Sequence, residues 1–274
     1  MLKPRIYTAI VVVALLLSAL FWMPPVGWIA FCALCLGIAA WEWAALGGLF
    51  GMAKGVYVAV LMGAFAWTIR FDPFALSAAR APVAIYYAAA IFWLLFVSAW
   101  LSLRVSLEKR WIILAAGIAA LVPAFAAMID FHPTGRLLIA IIFMVIISDT
   151  AAYFTGRRFG RHKLAPAISP GKTWEGVLGA MLAVGIYGSV WALAGSLIGL
   201  PGMLPHVTSH TGWVVPGLLL LAAAGIAGDL FESLIKRRAG VKDSGTILPG
   251  HGGMLDRIDA YMPVLPLAML LFSR

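Results

Sequence analysis

Charge is scarce in these 274 residues: Asp, Glu, Lys and Arg make up 11% of the chain, less than half the roughly 25% of an ordinary soluble domain. Acid is scarcer still, with 11 Asp and Glu against 20 Lys and Arg. Cysteine is almost absent. The only two, Cys32 and Cys35, lie in the apolar run Phe31–Ala40, with no second CxxC and no His nearby. That excludes a disulfide framework, gives no zinc spacing, and leaves both as small packing residues. Internal repeats, low-complexity tracts and soluble-domain-sized insertions are missing too. What is present is apolar: 63% of the residues and a mean hydropathy of +1.00. A soluble globule, a disordered chain and a secreted disulfide module are therefore excluded, and the expectation is an all-α, polytopic integral membrane protein. The net charge of +9 would suggest nucleic acid in a soluble protein. In a membrane chain it marks the cytoplasmic loops, and no nucleic-acid partner is expected.

Apolar stretches bounded by charge, Gly or Pro number nine: 6–23, 26–45, 54–70, 82–103, 111–129, 136–154, 174–199, 212–230 and 256–272. The first follows Lys3 and Arg5 as a signal peptide would, but it is long and runs into Pro24-Pro25 without a small-residue cleavage site, so a retained anchor is expected. With the N-terminus cytoplasmic, alternation puts sixteen of the 20 basic residues inside and leaves Arg70, Arg80, Arg136 and Arg274 outside. This is the positive-inside bias, and adding or losing one span would scramble it. The expected topology is nine helices, N-in and C-out. It divides into 1–135, about five helices, and a catalytic region 136–274 with cytoplasmic loops at 155–173 and 231–257.

Four acids (Glu42, Asp72, Glu108, Asp130) are scattered through the first half. The other seven, Asp149, Glu175, Asp229, Glu232, Asp243, Asp256 and Asp259, lie at or beside those two loops. Carboxylates at membrane depth are costly and mark pathways or reaction sites. Asp149 and Asp229 each close an apolar run. Taken singly, each also fits a helix-end charge reaching the interface; two on the same face, each followed by a basic loop, weigh against that. Asp229, Glu232, Ser233 and Lys236 share one helical face, as do Asp256 and Asp259. Facing carboxylates suit a hard divalent cation such as Mg²⁺, which would also relieve their repulsion. Between them lie Lys242-Asp243-Ser244-Gly245 and Pro249-Gly250-His251-Gly252-Gly253, whose glycines let backbone N–H groups approach an anion. Lys236, Arg237, Lys242 and Arg257 surround this stretch and suit phosphate. Ser169-Pro170-Gly171-Lys172-Thr173 is not a P-loop, since the upstream glycine is missing, but Ser169 and Lys172 can reach phosphate at a helix start.

The run from Ser233 through Lys236-Arg237, Lys242-Asp243, Gly245, Pro249, His251-Gly252-Gly253 and Asp256-Arg257 to Asp259 resembles the signature of phosphatidate cytidylyltransferases, also called CDP-diacylglycerol synthases, at every fixed position. Residues 148–160 and 169–176 are similar to further family segments. The resemblance implies a membrane nucleotidyltransferase that converts CTP and phosphatidate to CDP-diacylglycerol and pyrophosphate in phospholipid biosynthesis. It also implies a homodimer in the cell inner membrane, with the site facing the cytoplasm. It implies Mg²⁺ with a second cation beside it, held by Asp229 and Asp256, then Asp243 and Asp259, with Asp149 in addition. Catalytic roles would fall to Asp229, Asp256, Lys242, Asp243 and Arg257. Phosphate contacts would fall to Ser169, Lys172, Ser233, Lys236, Arg237, His251, Gly252 and Gly253. His251 reads equally as a phosphate contact and as a structural residue, and no general base is assigned. A transporter of an anionic solute would place its charges nearer the midplane. A CDP-alcohol phosphotransferase would carry a DG-x2-AR motif, which is absent.

Overall fold

The computed structural model describes residues 3–69, 81–103, 109–197, 211–247 and 252–272. In chain order the elements are α1 (Lys3–Trp22), α2 (Pro25–Leu46), α3 (Met52–Thr68) and α4 (Val83–Ile91). A six-residue π-helical stretch, Phe92–Val97, joins α4 to α5 (Ser98–Leu103). Then come α6 (Arg110–Asp130), α7 (Gly135–Phe159), β1 (Lys163–Ala165), β2 (Ser169–Thr173), α8 (Trp174–Leu197), α9 (Val214–Arg238), α10 (Leu255–Ile258) and α11 (Tyr261–Phe272). The architecture is all-α apart from one small hairpin. Among the described residues, six helical stretches are long and apolar enough to cross a membrane: Pro25–Leu46, Val83–Leu103, Arg110–Asp130, His132–Phe159, Trp174–Leu193 and Val214–Arg238. Val11–Trp22 and Met52–Thr68 are shorter apolar helices.

Two boundaries differ from the expected loops. Helix α7 continues to Phe159, and Lys163–Thr173 pairs as an antiparallel hairpin with Ala165 opposite Ser169. Helix α9 runs on to Arg238. Charged residues do not end a helix whose backbone bonds stay internal; α7 therefore outruns its apolar stretch, and α9 does so as the shared face of Asp229, Glu232, Ser233 and Lys236 implies.

Helices from both halves of the chain pack into one core. Trp28, Trp43, Trp93, Tyr86, Phe65 and Phe231 are among its fully buried side chains. Helices α2 and α3 are pinned to α6 by three donors at the polar tips of aromatics: from α2, Trp43 Nε1 to Ile113 O at 2.8 Å and Trp28 Nε1 to Met128 O at 3.0 Å, and from α3, Tyr57 OH to Leu114 O at 3.0 Å. Gly117 makes this possible, since a Cβ there would collide with Trp43 and the Tyr57 hydroxyl. Small residues set the other close approaches, as expected where lipid supplies no hydrophobic drive between helices. A Cβ at Gly228 of α9 would stand 2.5 Å from Asp259 O and 2.8 Å from Pro263 Cδ, so only glycine lets α11 close on α9 there. Gly179 gives the same room to Thr155 between α8 and α7.

A candidate active site where α9 ends and α11 begins

The extension of α9 beyond its apolar run carries four chemical groups in two turns. Asp229 and Ser233 stand one turn apart, with Ser233 Oγ donating to Asp229 Oδ1 at 3.3 Å. Glu232 and Lys236 are likewise i, i+4, with Lys236 Nζ 2.5 Å from Glu232 Oε2. Glu232 is fully buried, and its second oxygen, Oε1, has no protein donor among the described residues. The same Lys236 ammonium reaches Asp256 Oδ1 at 2.6 Å on α10. One buried cation thus bridges two carboxylates on different helices.

Asp256 is the most heavily bonded acid of the group. Its other oxygen, Oδ2, accepts from Gly253 N at 2.8 Å, Ser244 N at 2.9 Å and Ser244 Oγ at 3.0 Å. Gly252, at a φ of +84°, lets the chain pass close to it; a Cβ would stand 2.6 Å from Asp256 Oδ2.

The hairpin approaches from the side. Lys172 on β2 pairs with Asp229 Oδ2 at 2.6 Å. Arg237 Nε donates to Ile168 O at 3.2 Å and its NH1 to Val241 O at 3.3 Å. Arg237 therefore ties the hairpin tip and the chain after α9 to the helix end. Ser169 is half-buried at the start of β2.

The structure brings together Asp229, Ser233 and Lys172 as one group and Lys236, Asp256 and Gly253 as a second. Asp259, at the head of α11, is half-buried, with Oδ1 taking the Ala260 N–H at 2.7 Å. The charge of Asp229 is felt at Asp149, Glu232 and Asp259, and that of Asp256 at Glu232. Asp149 itself is exposed on α7. Lys242, Asp243 and Arg257 are exposed at the rim. His251 lies outside the described residues.

Sequence reasoning missed Glu42. It belongs to α2, is 3% exposed, and accepts from Met254 N at 3.0 Å, Leu255 N at 2.9 Å and Ser244 Oγ at 3.0 Å. It was among the acids scattered through the first half. The available signal was its isolation: it is the one acid in the run Pro25–Leu46, and a carboxylate inside a span is a site by default. Ser244, which joins Glu42 to Asp256, was missed as well.

The donor set is hard: carboxylate oxygens, hydroxyls and no sulfur or imidazole among the described residues that meet here. The bare Glu232 oxygen beside three further acids leaves negative charge that two ammonium groups only partly balance. That chemistry fits a divalent cation of the Mg²⁺ kind. Among the described residues no three carboxylate, His or Cys groups stand close enough to hold one alone. Mg²⁺ does not demand that, since it is commonly bound by one or two carboxylates together with waters and substrate phosphates.

Comparison with known proteins places the whole chain. Residues 3–274 match the model of the cytidylyltransferase family. A Pseudomonas aeruginosa protein named phosphatidate cytidylyltransferase is 35% identical over 284 residues, covering 100% of this chain and 98% of its own. One of the same name from Haemophilus influenzae is 32% identical over 296 residues, covering 97% and 96%. A third, from Staphylococcus aureus, is 46% identical over 130 residues, 47% of this chain and 45% of its own.

Proposed function

The chain belongs to the cytidylyltransferase family, and we propose that it transfers the cytidylyl group of CTP to phosphatidate, forming CDP-diacylglycerol and pyrophosphate. The observation that carries this reading is the linked carboxylate–lysine cluster at the end of α9, built by residues between Asp229 and Asp259. The chain's apolar helices, several long enough to cross a membrane, suit a diacylglycerol-bearing substrate.

In the reaction a phosphatidate phosphate oxygen attacks the α-phosphorus of CTP in line. The bond from the α-phosphorus to the α,β-bridging oxygen breaks, and pyrophosphate leaves with that electron pair. Both reactants are anions, so catalysis rests on positioning and charge neutralisation. Lys172, Lys236, Arg237, Lys242 and Arg257 supply positive charge, and Ser169, Ser233 and the Gly252-Gly253 backbone supply hydrogen bonds. His251 belongs to the same proposal as a phosphate contact. A divalent cation, held by Asp229 and Asp256 with Asp259, Asp243 and Asp149 around them, would neutralise and polarise the phosphate oxygens. Lys172 and Lys236 are the chain's own counter-charges on Asp229 and Asp256. With a cation on those carboxylates, the two lysines would be available to phosphate.

The same proposal includes nine spans with the N-terminus inside, the three shorter rods being α1, α3 and α10–α11, together with a homodimer in the cell inner membrane and a site facing the cytoplasm. Purified protein supplied with CTP, Mg²⁺ and phosphatidate should release pyrophosphate and form a cytidylyl lipid. Activity with diacylglycerol but not with phosphatidate would refute the reading. Asp256→Asn should abolish turnover in folded protein.

A further inference from the structure

We infer that Glu42, on a helix far from the signature segment, is a positioning residue of this reaction: it holds the loop and short helix that present Asp256. The inference rests on the proposed activity for its kinetic arm alone. Its carboxylate takes the backbone N–H groups of Met254 and Leu255 and the hydroxyl of Ser244. The first two are orphan donors at the start of α10, the four-residue helix that carries Asp256. No side chain of the local segment caps that helix; an acid arriving 212 residues away in sequence does so instead.

Ser244 makes the link to the reacting end. Its Oγ, with a single proton to donate, lies 3.0 Å from both Glu42 Oε2 and Asp256 Oδ2. One hydroxyl can donate to only one carboxylate at a time, so the placing of Glu42 biases the bond Ser244 gives to Asp256. Asp256 in turn holds Lys236. A chain of three contacts therefore runs from α2 to the ammonium group.

The same carboxylate explains two glycines of the signature. A Cβ at Gly245 would have Glu42 as all three of its nearest neighbours, beginning with a collision at Oε1. A Cβ at Gly253 would collide with Ser244 Oγ and stand 2.5 Å from Glu42 Oε2. In the sequence these glycines read as phosphate cradles. Here they also clear the path by which Glu42 reaches the loop. Glu42 is also aimed rigidly: its neighbour Trp43 is buried, bonded to Ile113 O and packed against Phe231, one residue from Glu232.

The test is Glu42→Gln, in full-length protein in detergent, read in two ways. Gln keeps the shape but sets an NH2 against N–H donors, so amide hydrogen exchange over residues 244–255 should rise. Turnover per folded molecule should fall roughly 10²-fold, the order expected for an angstrom-scale misplacement, while KM for CTP stays within about threefold. Glu42→Asp, which keeps the charge, should recover part of kcat and replaces Gln if that variant does not fold. Unchanged exchange overturns the inference whatever the kinetics. Raised exchange with wild-type kcat overturns it too, because Glu42 would then be structural only. If the wild type releases no pyrophosphate from CTP and phosphatidate, the proposed activity fails. Exchange then still decides whether Glu42 holds the loop.

Discussion

Removing the ammonium of Lys236 tests the electrostatic core of the site. Lys236→Met keeps the length and apolar stem and takes away only the charge. In the wild type that charge lies 2.5 Å from Glu232 and 2.6 Å from Asp256, with both partners' side chains nearly or fully excluded from solvent. Among the described residues Glu232 would lose its one counter-charge and be left buried with two bare oxygens; Asp256 would keep its three donors on Oδ2. Breaking a buried pair by deleting one partner costs about 3–5 kcal/mol, since the survivor's desolvation is no longer offset. At roughly 2–4 °C per kcal/mol for a chain of this size class, the melting temperature should fall by about 6–20 °C. The 11 tryptophans make intrinsic fluorescence a suitable probe in detergent, with chelator present so that no cation substitutes. The double variant Lys236→Met/Glu232→Gln should recover much of the loss, because the orphaned charge is gone. A melting temperature within about 2 °C of wild type for Lys236→Met would refute the claim that this lysine compensates buried acid. Equal melting of the single and double variants would refute the assignment of the penalty to Glu232.

Three further outcomes follow from the geometry. Chelation should abolish pyrophosphate release and Mg²⁺ restore it, with Asp229→Asn unable to respond; full activity in chelator would remove the cation from the proposal. Gly253→Ala should inactivate the protein in the wild-type background, where the new Cβ meets Ser244 and Glu42, and its penalty on melting should not add to that of Glu42→Ala, because neighbours in contact couple. Additive losses in a double-mutant cycle would count against that contact. Gly179→Leu should force α8 away from Thr155 on α7 and cost about 1–3 kcal/mol, the usual scale for overpacking; an unchanged melting temperature would mean that the two helices can separate freely there.

The apolar runs and the segment Ser233–Asp259 were legible without a structure. A helix in lipid must satisfy its own backbone, so composition over some twenty residues is enough to announce it. The i, i+4 pairing of Asp229 with Ser233 and of Glu232 with Lys236 is likewise a consequence of helical pitch alone. The tertiary structure decided which of those groups meet across helices. It joined Lys172 to Asp229, tied Arg237 to the backbone at Ile168, and drew Glu42 from the first half of the chain to Ser244, Met254 and Leu255. Such meetings depend on how closely helices approach, which single residues such as Gly117 and Gly228 permit by lacking a Cβ. Periodicity within a helix records which face a side chain occupies; only packing decides what that face touches.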